Sequence, residues 1–428
     1  MQHRQFTSLW TTIEAEQIGN FNHSQFHLSG DPKVEKYFDI GKNCNETQAR
    51  LGTLVTGHGI VPTPAFMPVA SQGTVKALDP EELKSIGVNI ILGNTYHLYL
   101  RPGIDVIEKL GGLHRFMAWD GPILTDSGGY QVFSLARLCK VTDKGVTFRS
   151  HIDGSEHHLT PESVIDFQQR LGVDIAMTLD QCPAPDADIS TIREAVSRTT
   201  LWAERCRKHH GSRSQLLFGI VQGGTSSELR RQSASEITSL DFSGYAIGGL
   251  SLGESKSLTW STLDETISHL PPDKPRYLMG VGSPEDIFEG VSRGVDLFDS
   301  ALPTRVARNG ALFTARGRKN IRNAVYKAKK GPVDADCDCY TCRTFSAAYI
   351  HHLFKSEELL AYRLATIHNL RFIIRFLQQI HSAIEKGTFG TFKRAFIEQY
   401  KVTDEETRIL QKRKWLSQPR YSQKSLAD

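Results

Sequence analysis

Eight times between Pro64 and Thr304 the chain passes through a short apolar, β-rich run that stops at a polar or glycine-rich turn. The runs are PAFMPVA (64–70), NIILGNTY (89–96), PILTDSGG (122–129), DIAMTLDQC (174–182), LLFGIVQGG (216–224), GYAIGGLS (244–251), RYLMGVG (276–282) and DLFDSALPT (296–304). They lack the alternation of a strand with one wet face, so both faces should be buried. Several are separated by segments with helical spacing, such as PESVIDFQQRLG (161–172) and ISTIREAVSRTTLWAERCRKH (189–209). Doubly buried strands that alternate with helices pair in parallel. Eight of them in one domain predict an α/β fold of the closed (β/α)8 TIM-barrel type over an open doubly wound sheet. No G-x-G-x-x-G fingerprint follows the first run, which points the same way. Leu135–Leu159, with GVTFRSHIDGSEHHL, reads as a β-hairpin inserted after the third strand.

The barrel is expected over residues 36–316. Residues 1–35 are polar and aperiodic and read as an extension without an assigned role. A smaller subdomain with C-terminal helices (helical patterns at Glu357–Glu385 and Thr391–Tyr400) is expected over 317–400, then a polar tail over 401–428. A length of 428 residues, 39% hydrophobic, suits one large domain plus a smaller one and excludes a disordered chain. No stretch is apolar for long enough to cross a bilayer. The N-terminal MQHRQFTSLWTTIEAEQIGNF lacks the apolar core and cleavage site of a signal peptide, so a cytoplasmic protein without membrane contact is expected.

A net charge of +4 points to no partner, but its distribution does. Between Asp299 and Asp334 there is no acidic residue, while Arg305, Arg308, Arg316, Arg318, Lys319, Arg322, Lys327, Lys329 and Lys330 all fall there. A stretch of one sign can contact phosphates. It can equally be a solvated face.

In a barrel the chemistry gathers at the C-terminal ends of the strands. The residues there include Asp126, Asp180, Gln222, Gly248, Gly249, Gly280 and Asp299. Three carboxylates and an amide at one mouth can supply a nucleophile, a general base and hydrogen bonds to a base edge. One strand-end Asp alone would more simply be a helix cap, as Asp126 before Ser127 could be. Three on separate strands of one barrel favour function.

Of seven cysteines, Cys44, Cys139, Cys182 and Cys206 are scattered, whereas Cys337, Cys339 and Cys342 crowd into C-x-C-x2-C. In a chain expected in the cytoplasm, that crowding points to metal before disulfides. Three thiolates and an imidazole make a closed structural zinc site. His351, His352 and His368 lie downstream, and each could also be a helix-packing residue.

Taken together, PAFMPVA, ILGNTYHLYLRPG, ILTDSGGYQVFSL, FGIVQGG, AIGGLSLGE, YLMGVGSPEDI, FDSALPTRVARNG and C-x-C-x2-C…H resemble the bacterial tRNA-guanine transglycosylases, over about Tyr37 to Tyr400. The resemblance implies a homodimeric TIM barrel with a zinc subdomain, one zinc per chain. It also implies action on the wobble guanosine of tRNAs with a GUN anticodon, where a 7-deazaguanine base replaces guanine in queuosine modification. Asp299 matches the nucleophile and Asp126 the general acid/base. Asp126, Asp180, Gln222, Gly249 and Leu250 match groups that hold the base, and Tyr130 and Met279 the residues on its two faces. Gly280, Val281, Gly282, Ser283, Pro284, Glu285 and Asp286 match one RNA-contacting segment. Thr304, Arg305, Val306, Ala307 and Arg308 match another. Cys337, Cys339, Cys342 and His368 match the zinc ligands. FDS stands where the family usually has FDC, and residues 1–35 have no counterpart in it.

Cys182 and Leu252 match the two positions at which members differ by incoming base. On an extended strand Leu252 would face the same side as Leu250. An aliphatic residue there favours the small base preQ1 (7-aminomethyl-7-deazaguanine) over queuine. Two rival readings are a glycosidase using Asp126 and Asp299 as its carboxylate pair, and an RNA-binding accessory subunit with an inactive barrel. The first would need neither the cysteine cluster nor the acid-free stretch, and the second would lack one of the carboxylates.

Overall fold

The computed structural model describes residues 36–135, 139–212 and 214–402, together with Glu406 and Leu410. Residues 1–35, and nearly all of the expected tail, lie outside them. All eight apolar runs become parallel strands: β1 (Ala65–Ala70), β2 (Ile91–Asn94), β3 (Ile123–Asp126), β4 (Ile175–Met177), β5 (Leu216–Val221), β6 (Gly244–Ile247), β7 (Arg276–Leu278) and β8 (Leu297–Ser300). Each pairs with the next, and β8 closes on β1 with Asp299 opposite Met67, giving a complete barrel. Closure leaves no free edge and buries both faces of every strand, which is why the runs do not alternate.

The interior is filled by Met67, Leu92, Leu124, Ile175, Met177, Phe218, Ile220, Ala246, Tyr277 and Leu297. A second apolar layer lies between the barrel and its helices. Pro161–Leu171 and Ile189–His209 are helices, as their spacing predicts. The first begins at a Thr160–Ser163 capping box, which satisfies amides that the helix leaves unpaired.

An antiparallel sheet of Phe38–Asn43, Arg50–Thr56 and Gly59–Thr63 precedes β1. Its Phe38, Leu54 and Val61 join the interior core at the N-terminal ends of the strands, the barrel floor. Arg50 reinforces the junction through two bonds to the buried Asp296 carboxylate, at 2.9 and 2.6 Å.

The insertion after β3 is a three-stranded sheet, not a hairpin: Cys139–Thr142, Gly145–Arg149 and Glu156–Leu159. The segment GVTFRSHIDGSEHHL contains its own turn, closed by Ser150 N to Ser155 O at 2.8 Å. Its two halves therefore pair with each other, and the third strand adds on outside. Tyr96 and Tyr99 tie this sheet to the barrel through His151 and His157, at 2.8 and 2.9 Å.

Beyond β8, a short helix (Leu302–Arg308) and a hairpin (Ala311–Thr314 with Gly317–Asn320) lead to the cysteine cluster. The 27-residue helix Leu359–Glu385 packs against that short helix, that hairpin and β1, so it binds the C-terminal region to the barrel. Its Asn369 spans the junction, donating to Pro303 O and Ala311 O and accepting from Phe313 N. No helix among the described residues is long and apolar enough to cross a membrane.

Candidate active site and metal centre

Asp126 is the last residue of β3, paired in register with Asn94 at the end of β2. Its carboxyl does not cap the helix that follows. It accepts from Asn94 Nδ2 (2.6 Å), Thr95 N (3.1 Å) and Gln131 Nε2 (3.0 Å). Burial raises its pKa to about 8, with the charges of Asp299 and Asp180 pushing the same way and the Thr95 and Gln131 bonds opposing. Asp126 thus holds a proton at neutral pH that it can give up and take back.

Asp299, in β8, accepts from the Tyr277 hydroxyl (2.6 Å) and from Gly280 N (2.7 Å) through one oxygen. Burial pushes its pKa up, and these two bonds oppose the shift. They orient the carboxylate and favour its charged form. Asp299 is half-buried, whereas Asp126 and Asp180 are buried. Asp180 accepts from Gln222 Nε2 (2.7 Å) and Ser127 Oγ (3.2 Å), and burial raises its pKa too.

Gly248 and Gly249 close around Gln222. A Cβ on Gly249 would lie 2.5 Å from Gln222 Oε1, and Gly249 also has a φ of +72° that favours glycine. Gln222 Oε1 is buried with no partner among the described residues, an acceptor still to be satisfied. Leu250 follows, buried, while Met279, just past the end of β7, and Tyr130, in the first turn of the helix Gly129–Leu135, are half-buried.

The cysteine cluster gathers around the long helix. Sγ of Cys337, Cys339 and Cys342 lie 3.6, 3.5 and 3.3 Å from His368 Nδ1. A tetrahedral ion with sulfur at about 2.3 Å and nitrogen at about 2.1 Å requires edges of about 3.6 Å. His368 Nε2 donates to Phe313 O at 2.7 Å, which fixes the tautomer and turns the bare Nδ1 toward the thiols. His351 is spent on Ile321 O at 2.7 Å and His352 is exposed. Among the three histidines, only His368 meets the sulfurs.

A profile of the queuine tRNA-ribosyltransferase family matches residues 44–402. The chain belongs to that family. It is 60% identical over 383 residues to the queuine tRNA-ribosyltransferase of Dehalococcoides mccartyi, covering 90% of this chain and 98% of the relative. Its identity to that of Caldanaerobacter subterraneus is 55% over 372 residues, with coverages of 87% and 99%. The Moorella thermoacetica protein is 55% identical over 363 residues, with coverages of 85% and 97%. Membership makes the chain a transferase, and neither rival reading of its carboxylates stands.

Of the two segments expected to contact RNA, the first begins at the exposed Gly280. Val281, Gly282 and Pro284 are buried, Ser283 caps the helix Pro284–Ser292, and Glu285 and Asp286 are half-buried in its first turn. In the second, Thr304 and Ala307 face inward while Arg305, Val306 and Arg308 are half-buried. Of the basic stretch beyond, Arg316, Arg318, Lys319, Lys327, Lys329 and Lys330 are exposed. Arg322 is engaged with Phe354, donating to its carbonyl at 2.9 Å and lying over its ring.

Several members of the site went unread in the sequence. Asn94, Thr95, Gln131 and Tyr277 orient the two central carboxyls. Asn94, Thr95 and Tyr277 stand inside the quoted apolar runs, and for Asn94 a polar side chain ending a doubly buried strand is the available signal. Glu254 was also missed. Its carboxylate gathers the amides of Ser251, Leu252 (2.9 Å) and Gly253 (3.1 Å), and the Thr259 hydroxyl (2.7 Å), fixing the loop after β6. That loop corrects one expectation: β6 ends at Ile247 and Ser251 has a φ of +58°. Leu250 and Leu252 are not on an extended strand, so period-two alternation does not place them on one side. Leu250 is buried and Leu252 half-buried.

Proposed function

We propose that this enzyme exchanges the wobble guanine of GUN-anticodon tRNAs for a 7-deazaguanine base by double displacement at the ribose. The observation that carries this is the pair of unlike carboxyls at one barrel mouth: Asp299 oriented by two donors, and Asp126 raised to hold a proton. Asp299 attacks the anomeric carbon, and the bond to guanine breaks as Asp126 protonates the departing base. The tRNA is then held covalently on Asp299. Asp126, now a carboxylate, takes a proton from the incoming base, whose nitrogen attacks the same carbon and frees Asp299. Over one cycle Asp126 recovers its proton and Asp299 its charge.

Asp180, Gln222 and the backbone at Gly249 and Leu250 would read the base edge, and the unpartnered Gln222 Oε1 supplies an acceptor for it. Tyr130 and Met279 would cover its two faces once it leaves the anticodon stack. Gly280–Asp286 and Thr304–Arg308 would hold the RNA. Because Val281, Pro284, Thr304 and Ala307 are buried, backbone together with Arg305 and Arg308 would make those contacts. The smaller base preQ1 is favoured on the resemblance alone, because Leu252 keeps an aliphatic side chain at a position where members of the family differ by incoming base.

We assign zinc to Cys337, Cys339, Cys342 and His368, one ion per chain. Four protein ligands leave it no open position, so its part is structural. The subdomain over 317–400 would be organised by that ion. A homodimer fits the exposed aromatic patch of Tyr340 and Tyr349 around Phe345, since exposed aromatic clusters mark interfaces. The expected compartment is the cytoplasm, where tRNA is modified.

Incubation with unmodified tRNA and labelled guanine should place label in the anticodon loop. Asp299→Asn should form no adduct that survives a denaturing gel. An adduct persisting in that variant would overturn the assignment of the nucleophile.

A further inference from the structure

At the opposite end of the barrel, three side chains from separate elements converge. His58 stands in the turn between Arg50–Thr56 and Gly59–Thr63, His114 in the short helix Leu113–Met117, and Asp174 just before β4. His58 Nδ1 lies 2.8 Å from Asp174 Oδ1, and His114 Nε2 lies 3.2 Å from Oδ2. The two imidazoles stack with centroids 3.6 Å apart and planes at 16°. All three ligand atoms fall within 4.8 Å of one another.

The carboxylate is held independently of the histidines' rings. Oδ1 accepts from His58 N at 3.0 Å and Oδ2 from Ile123 N at 2.8 Å. Each oxygen therefore has one backbone donor that fixes it and a second side turned toward an imidazole nitrogen. Asp174 is 1% exposed, His114 11% and His58 42%, so the group is a buried anion with one side open to solvent. None of the three belongs to the transglycosylase site at the mouth.

We infer that His58, His114 and Asp174 form a second metal site, at the floor of the barrel, for a divalent ion of the zinc type. Imidazole and carboxylate are the donors such ions select, and two histidines with one carboxylate leave positions for water on the exposed side. Tetrahedral ligands about 2.1 Å from an ion stand about 3.4 Å apart, so the 2.8 and 3.2 Å contacts need widen only slightly. Lone pairs of parallel rings do not meet at one point, so binding must also tilt the planes apart. His58, on an exposed turn, is the ring placed to move. Protons balance without a co-reactant: each imidazole binds through a nitrogen that carries no proton, one proton standing on its far nitrogen and any other passing to solvent. The ion would staple the N-terminal sheet to the start of β4, and the bottom of a barrel is where residues serve stability.

The test uses the full chain with its Cys3His ion in place, dialysed against zinc, washed and assayed for metal content. Two zinc ions per chain are expected in the wild type and one in His58→Ala, whose exposed turn does not threaten folding. His114→Ala should also retain one, and His352→Ala, which removes an exposed histidine elsewhere, should retain two. Zinc should raise the Tm of the wild type and leave that of His58→Ala unmoved. A wild type holding a single zinc would overturn the inference, and so would a second zinc that persists in His58→Ala.

Discussion

Asp126→Asn removes a titrating group whose cost to the fold follows from where it sits. Burial, reinforced by Asp299 and Asp180, raises the Asp126 pKa from 3.8 to about 8. The native state keeps a proton that the unfolded chain releases. The group's stabilising contribution is therefore whole below pH 3.8 and is lost as pH climbs toward 8. At roughly 1.4 kcal/mol per unit, the loss is about 2 kcal/mol by about pH 5.5 and about 6 kcal/mol by about pH 9. Asn does not titrate, so the variant should gain on the wild type by roughly 3 to 4 kcal/mol between those two conditions. The amide also faces donors. Gln131 Oε1 is buried without a partner among the described residues, and turning that amide over offers the new NH2 an acceptor. One donor–donor approach, to Asn94 or Thr95, remains and costs about 1 to 3 kcal/mol at every pH. It offsets both measurements equally. Urea unfolding followed by the fluorescence of the buried Trp119 and Trp202 reads the difference at each pH. If the gap between variant and wild type is the same at both, within about 1 kcal/mol, Asp126 does not carry a raised pKa. Its place as the proton-holding carboxyl then fails.

Three further outcomes follow from the same geometry. Cys339→Ser should lose the metal and loosen the helices around it, because binding free energy there is folding free energy; full metal content and unchanged protease resistance would contradict this. Neutralising Arg305, Arg308 or Arg316 should weaken tRNA binding and lower the slope of log K against log salt by about 0.7 for each loop phosphate no longer neutralised. Identical slopes in all three variants would return the acid-free stretch to a solvated face. Leu252→Gly should improve incorporation of queuine relative to preQ1, and competition on unmodified tRNA that leaves the ratio unchanged would remove Leu252 from base selection.

The barrel was legible in the sequence because its signals are local. Burial on both faces suppresses alternation within each run, and the helices between carry their own spacing and caps, as at Thr160 and Asp188. Asp126 and Asp299 could be picked out for the same reason, since the end of an apolar run marks the mouth. The resemblance of the runs to one family supplied the rest of the expected site. The insertion was misjudged because the turn at Ser150–Ser155 divides a segment that looks continuous.

What surrounds those carboxyls was decided only by the tertiary structure. Asn94 reaches Asp126 across 32 residues and Tyr277 reaches Asp299 across 22, distances over which no local pattern sets the geometry. The residues alone left three histidines as candidates beside the cysteines. The resemblance already pointed to His368, and the structure supplies the physical reason: the long helix brings Nδ1 to the sulfurs while Phe313 O holds Nε2. The proton on Asp126 has the same origin. A carboxyl's chain neighbours do not determine its pKa; burial and the charges brought in by separate strands do, and closure of the barrel creates both.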